Sequence, residues 1–520
     1  MAIIGKNVIE NLTTAMYEDL RIVYREYIQN ASDSIDKAIK IGLLTSSEAQ
    51  INITINASDK SISVYDNGTG IPSKDFYLTM SSIADSKKDR FEDKGFRGIG
   101  RLGGISVCNR LRFSSSVKGE DVVSICEWDA KKVRDILVDK NANPTASELV
   151  DMVLLFSKEK GNIDEHFLKV ELLDIEKSAS ELLDVKHVKR YLQTVAPVPY
   201  AQGFYFKSLI HKFAQKNGFK IDEYQVFVND DRLFKEYTTK LYKEQGNHKI
   251  AYDEILDIAF DIFKDANGKP LAWIWYGISS FETQIPKINE MRGIRLRKGN
   301  IEIGDEYTFS SHGFYDEPRG GLYYIGEVFA VSPDLIPNAR RDYFNLNDTC
   351  RDFEKIARPL FYERLKRIYH YANDYKKAQQ KIQELANEVT KYNEKVNEGT
   401  FVSPDDKQKA KDKIEKLTKD AEKADRVIKN RNEKEKDDEV LTRVYKEIKQ
   451  KYPAEKKEVK PVEEVPEKNT KNKSFITQSL SGYSKKEQKL VSEIYQIIKS
   501  ILPHDTAELV ITKIQEELKK

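Results

Sequence analysis

Apolar and polar positions near the start of the chain alternate at helical steps. Tyr24, Ile28, Ala31, Ile35 and Ala38 recur every three or four residues, and Arg25–Lys37 contains neither Pro nor Gly. That is the core-facing stripe of a helix. A second stripe at the same steps carries Glu26, Asn30, Asp33 and Lys37, stacking a carboxylate, a carboxamide and a second carboxylate on one face. Asn and Asp are poor mid-helix residues, because their short side chains compete for backbone groups. Such a face is either a solvated surface or a place to hold a water and a Mg²⁺ beside a nucleotide.

The period then changes to two. Ile51-Asn-Ile-Thr-Ile55 and Ser61-Ile-Ser-Val-Tyr65, separated by the turn-forming Ala57-Ser-Asp-Lys60, predict a hairpin. Its second strand runs into Asp66-Asn-Gly-Thr-Gly-Ile-Pro72. A carboxylate at a strand end can accept from an exocyclic amine such as adenine's, and Gly68 and Gly70 let the backbone approach a flat ligand. A plain glycine-rich turn is the alternative. Ser73–Arg97 is polar and reads as a mobile segment that includes Ser81-Ser-Ile-Ala-Asp-Ser-Lys-Lys88. It leads to Gly95-Phe-Arg-Gly-Ile-Gly-Arg-Leu-Gly-Gly104, a loop expected to open a helix at Ile105-Ser-Val-Cys108. Such loops offer backbone N–H groups to phosphate oxygens. The pattern is neither a Walker A nor a Rossmann turn.

Further along, Tyr224-Gln-Val-Phe-Val228 and the aromatic Leu271-Ala-Trp-Ile-Trp-Tyr276 read as strands, with Asn229-Asp-Asp231 a turn. In Arg292-Gly-Ile-Arg-Leu-Arg-Lys298, alternation sets Arg295 and Arg297 on one strand face. A solvated basic edge and a contact to an anion such as DNA or phosphate both remain open. From Arg351 the chain turns helical and charged. Ile382, Leu385, Val389, Tyr392 and Val396 precede a cap at Ser403 and Pro404 in the first helical position. Ala410, Ile414, Leu417, Ala421, Ala424 and Ile428 then repeat the spacing. An antiparallel coiled-coil hairpin fits, and a coil bound to a partner remains open. Tyr452–Asn472, rich in Pro, Glu and Lys, reads as disordered linker. In the tail, Ser484-Lys-Lys-Glu487 is a capping box, Pro503 a break, and Asp505-Thr-Ala-Glu508 a second cap. Two short amphipathic helices there would dock on a partner, another copy or the coiled coil.

Composition narrows the classes. The chain has 520 residues, enough for two or three cores. Lys+Arg 86 against Asp+Glu 84 argues against nucleic-acid binding by bulk charge alone and leaves local basic patches open. Cys108, Cys126 and Cys350 make neither a disulfide framework nor a metal site, which fits a reducing compartment. With no signal-like h-region and no run near the ~20 apolar residues that span a bilayer, a soluble cytoplasmic protein without membrane contact is expected.

The order and spacing of the three early segments resemble the GHKL superfamily of gyrase, the ninety-kilodalton heat-shock chaperone, histidine kinases and MutL, closest to the chaperone-like and microrchidia-like branch. Arg25–Ser34 resembles the family's N-box, Asp66–Gly70 its adenine motif, Ile83-Ala-Asp-Ser-Lys87 part of the chaperone lid, and Gly95–Gly104 its phosphate loop. The resemblance implies an α+β protein: a Bergerat α/β sandwich ATPase domain (1–185), then a transducer or middle-type α/β domain (186–372). A coiled-coil hairpin (373–451), a disordered linker (452–475) and a helical tail (476–520) follow. It implies Glu26 as general base and Asn30 as Mg²⁺ ligand. Asp66 would read adenine, Asp33 would be a secondary contact, and Gly68, Gly70, Ser86, Lys87, Gly95, Gly98, Ile99 and Gly100 would line ATP. Asp334-Leu-Ile-Pro-Asn-Ala-Arg-Arg-Asp342 resembles the chaperones' middle-domain loop, which implies that Arg341 reaches the γ-phosphate and that Asn338 also matches. An Arg341–Asp342 structural pair is the alternative. One departure is the closing strand Phe167–Leu173, which lacks the family's Thr.

The function implied is an ATP-hydrolysing clamp that dimerises through its N-terminal domains and acts on a protein or DNA client. The alternative is a nucleotide-switched scaffold that recruits an effector through the coiled coil and tail, for example in bacterial defence or DNA surveillance. A histidine kinase is disfavoured because no His-bearing helical hairpin precedes the ATPase segment. A topoisomerase is disfavoured because no cleavage domain follows the transducer.

Overall fold

The period-two stretch folds as β1 (Gln50–Asn56) and β2 (Ser61–Asp66), antiparallel, with Ile55 opposite Ile62 and Ile51 opposite Asp66. Burial of Ile51, Ile53, Ile55, Ile62 and Val64 fixes this register, since a one-residue slip would turn them outward. The sheet is completed by β3 (Cys108–Ser116), β4 (Val122–Asp129), β5 (Leu154–Lys160), β6 (Phe167–Ile175), β7 (Gln225–Val228) and β8 (Asp231–Arg232). Its order is β5-β4-β3-β6-β2-β1-β7-β8, and β7 runs parallel to β1. The computed structural model describes residues 5–12, 19–83, 100–435, 438–451 and 482–518, and it divides into two compact units, Met1–Lys366 and Arg367–Lys520.

The helix Ile22–Lys40 lays Tyr24, Ile28, Ala31 and Ile35 into the core of this first sheet, as its stripe predicts. Val188 and Leu192 of the helix Val185–Val195 join the same core, as do Val226, Val228 and Leu233. The first sheet and its core therefore continue past residue 185, because β7 adds to the free edge of β1.

A second sheet in the same unit comprises β9 (Lys240–Gln245), β10 (His248–Lys264), β11 (Pro270–Ser279), β12 (Gly293–Lys298), β13 (Ile301–Ile303) and β14 (Ile325–Ala330). Its order is β13-β12-β14-β11-β10-β9. Trp273 and Trp275 of β11 are fully buried among Phe204, Tyr237 and Phe329. Here the expectation for the basic strand is corrected. Arg295 and Arg297 are 4% and 0% exposed, neither a solvated edge nor an anion contact. β12 is an interior strand between β13 and β14, so its alternation points both arginines inward, where Glu302 takes Arg295 and Glu327 takes Arg297.

Two further local expectations change. The stretch Ser73–Arg97 starts as a helix, Ser73–Ser81, that buries Phe76 and Met80. The glycine loop enters no α-helix at Ile105: Gly100–Ser106 is a 3₁₀ segment, and β3 begins at Cys108.

In the second unit the helices Lys366–Glu398 and Pro404–Glu435 form an antiparallel hairpin. Leu385, Val389 and Ala421 are its buried seam, Glu388 pairs with Lys413 at 3.0 Å, and Tyr392 packs on Phe401. Ser403 Oγ accepts from Asp406 N, so the cap sits where the sequence places it. A third helix, Glu439–Lys451, follows. The linker 452–475 lies outside the described residues. The tail helix Lys485–Ile501 carries the Ser484–Glu487 capping box, but the last helix starts at His504 with Pro503 as its cap, so Asp505 sits inside the first turn. Proline's fixed φ prepares that start without a side-chain cap. Among the described residues no helix is long and apolar enough to cross a membrane.

Candidate functional site

On the polar stripe of the Ile22–Lys40 helix, Lys37 is exposed but the three residues before it are withdrawn from solvent. Glu26 is 7% and Asp33 3% exposed, and Asn30 is half-buried. Burying two carboxylates on one helix face is costly unless they are met by partners or a ligand, which removes the solvated-face alternative.

Two glycine-bearing segments close on this helix about two turns apart. Near its C-terminal half, Thr69 N donates to the Ser34 carbonyl at 3.4 Å, and His166 Nδ1 bonds the Gly68 carbonyl at 2.8 Å. Asp66 ends β2, is 3% exposed, and accepts from Gly68 N at 2.9 Å. Gly70 has φ +66, and a Cβ there would lie 1.9 Å from the Ser116 carbonyl oxygen, so both conformation and space demand glycine. Near the N-terminal half, Gly100 lies against Glu26: a Cβ on Gly100 would come within 2.3 Å of Glu26 Oε2. Tyr27 fastens this second contact, donating to the Arg101 carbonyl at 3.1 Å and accepting from Gly104 N at 3.0 Å. Eight helical steps lead from Glu26 to Ser34, roughly 12 Å of rise, on the scale of an extended nucleoside triphosphate. Ser86, Lys87, Gly95, Gly98 and Ile99 lie outside the described residues.

The segment from the second sheet also arrives. Arg341 Nε lies 2.9 Å from Glu26 Oε1, with both side chains about nine-tenths buried. Asp342 instead accepts from Asn338 Nδ2. Arg341 thus pairs with Glu26, while Asn338 holds Asp342. Asn338 acts within the loop, shaping it.

Sequence reasoning missed Tyr27, Ser34 and His166. Tyr27 falls between the two stripes, Ser34 serves through its backbone carbonyl, and His166 reaches the Gly68 carbonyl with its ring from a distant part of the chain. The absent Thr on β6 stands: Phe167–Ile175 forms the expected strand, and Ser115 Oγ, donating to the Phe167 carbonyl and accepting from Ile71 N, ties β3 to the Gly70 turn.

Among the described residues no group of three His, Cys, Asp or Glu could hold a metal ion. The donor set near Glu26 still fits Mg²⁺, which takes few protein oxygens when phosphate oxygens and waters supply the rest. Asn30, half-buried one turn along the helix from Glu26, is the carboxamide that would give one.

Residues 17–161 match the family of histidine kinase-, DNA gyrase B-, and HSP90-like ATPases. This part of the chain is a GHKL ATPase domain, related to those of HSP90-like chaperones. Among similar proteins is the chaperone protein HtpG of Rickettsia canadensis, 27% identical over 201 residues, 35% of this chain and 31% of that one. HtpG of Halalkalibacterium halodurans is 24% identical over 195 residues, 34% and 31%. HtpG of Aliarcobacter butzleri is 33% identical over 130 residues, 21% and 20%. The chain spans about a third of the length of the first two relatives.

Proposed function

We propose that this chain binds and hydrolyses ATP and couples the reaction to closure of its second-sheet domain over the nucleotide. The observation that carries the reading is the Arg341–Glu26 contact, which delivers a cation from the second sheet's domain to the carboxylate best placed as a base. ATP lies between the Glu26 helix and the Gly100–Gly104 segment, with Asp66 accepting the adenine amine and Asp33 beside it. Glu26 draws a proton from the attacking water as its oxygen bonds Pγ and the Pγ–O bond to ADP breaks, giving ADP and orthophosphate. Arg341 moves from Glu26 to the γ-phosphate oxygens, which frees the base and stabilises the charge in one motion. Asn30 would hold Mg²⁺ together with the phosphates, and the ion would supply charge neutralisation there.

The reading extends to a homodimer closed through the N-terminal domains and to a protein client. The relatives are chaperones by name, and burial of Arg295 and Arg297 withdraws the basic strand that favoured DNA. Three measurements test it. Glu26→Ala keeps ATP affinity and loses turnover, and a non-hydrolysable analogue shifts sedimentation to twice the mass. Turnover across a salt series rises with an unfolded protein and not with duplex DNA. DNA stimulation that falls steeply with salt overturns the protein client.

A second reading, the nucleotide-switched scaffold, is favoured by one feature. On the tail helix, Leu490, Ile494, Ile497 and Ile501 recur at helical spacing and are 42–72% exposed, a face suited to an effector.

A further inference from the structure

A cleft of about 670 Å³ is lined by Ile22 and Arg25 on the first helix and by Gly304, Arg340 and Arg341 beside the second sheet. Its walls are rich in cations, most of them already neutralised. Arg21 is held by Asp19 at 2.9 Å, Arg292 by Glu306 at 3.3 Å, and Arg295 by Glu302 at 2.8 Å.

Arg25 differs. It is 5% exposed, yet among the described residues its Nε and Nη2 donate to nothing, and Glu26 Oε1 stands 4.0 Å from Nε. Leaving two buried N–H donors unmet costs more than most single interactions return. These two nitrogens form one edge of the guanidinium, the fork that meets two oxygens of a phosphate or carboxylate side by side. The exposed Arg340 and Lys287 line the same cleft, toward solvent. Arg341 lines it too while touching Glu26, so one side chain borders both the cleft and the reacting centre.

We propose that this cleft binds orthophosphate, received from the γ-position past Arg341 on the Nε/Nη2 edge of Arg25 and passed outward along Arg340 and Lys287. The proposal rests on the ATP-hydrolysis reading for the origin of the phosphate, but not for the site. Asp305 and Asp342 also line the cleft and keep its hold on a dianion weak, as an exit requires.

The test is equilibrium binding of inorganic phosphate to the full chain without nucleotide, followed by ³¹P line broadening. Saturation at one phosphate per chain is expected. Arg25→Gln weakens binding roughly tenfold or more, and Arg25→Lys falls between, keeping the charge but losing the fork. Arg340→Ala, an exposed change that leaves the core untouched, weakens it by a factor of about three. Asp66→Asn and saturating ADP leave phosphate binding unchanged, so loss of the nucleotide reading and loss of this site are told apart. Phosphate binding that ADP abolishes, that survives Arg25→Gln and Arg340→Ala alike, or that is absent from the folded wild type overturns the proposal.

Discussion

Arg341 sits 2.9 Å from Glu26 with φ +56, a left-handed backbone that a non-glycine residue adopts at a cost. The loop is held there from several sides. Gly304 N donates to the Arg341 carbonyl at 2.9 Å, Asn338 N to the Tyr343 carbonyl at 2.9 Å, and Asn338 Nδ2 to Asp342. Strain kept by surrounding bonds, at the point where a side chain reaches across to a carboxylate, marks a positioned group.

If Arg341 and Glu26 act as one unit, their losses do not add. Arg341→Ala lowers turnover about a thousandfold while ATP affinity changes little, on the scale of arginines supplied to phosphoryl transfer. Glu26→Gln lowers it at least as far, and the double variant is little worse than Glu26→Gln alone. Single-turnover hydrolysis of the four proteins measures this. Multiplying losses would make the pair two independent contributors.

Asp66 offers a cleaner separation of binding from chemistry. Asn at this position keeps an oxygen for Gly68 N, so the turn survives, but presents an amide where the proposed adenine contact requires an acceptor. Loss of a hydrogen bond to a charged group predicts that Asp66→Asn weakens ATP binding by about 1.5–3 kcal/mol, roughly ten- to a hundredfold. Titration of a fluorescent ATP analogue reads it directly, and unchanged affinity would remove Asp66 from the adenine site.

Gly100 tests the geometry of the proposed base. A methyl group there meets Glu26 Oε2 at 2.3 Å, so Gly100→Ala must push the carboxylate aside. Displacement of a catalytic group by ~1 Å predicts about a hundredfold loss in turnover. Thermal stability should change little, since the flexible end of a side chain is what yields. A variant with full activity would show that Glu26 works from another position.

Much of this arrangement was legible in the residues, for identifiable reasons. The Glu26–Asn30–Asp33 stripe and the Asp66 turn declare themselves because local periodicity and glycine demand report local structure. The helix stripes at 382–396 and 410–428 give the hairpin for the same reason. What escaped depends on distant partners. Arg295 and Arg297 alternate like a solvated edge, and only the pairing of β12 between β13 and β14 turns them inward. Tyr27 and Arg25 sit between stripes, so nothing in the period separates a clamp and an unmet buried cation from ordinary helix surface. Nor does the sequence show that β7, far along the chain, would extend the first sheet.

The inward turn of those arginines leads to the last prediction. Glu327 is fully buried with Arg297, Lys235 and the Tyr200 hydroxyl as partners. Burial opposes its ionisation, but Arg297 and Lys235 outweigh that and hold its pKa down to about 2 from 4.5. A carboxylate depressed in the folded state stabilises fully above its unfolded pKa and loses that contribution as pH falls through the folded one. Glu327 should therefore withdraw about 3 kcal/mol between pH 4.5 and 2. Lys235 works in the other direction: burial and then Arg297 push its pKa down to about 8, so it disfavours folding below pH 8 and that penalty lifts between pH 8 and 10.5. Urea unfolding over a pH series should show stability rising across both windows. Glu327→Gln should erase the acid rise and cost about 3–5 kcal/mol at neutral pH, because Arg297 and Lys235 are then left facing one another without their carboxylate. An acid rise that persists in Glu327→Gln would place it on other carboxylates.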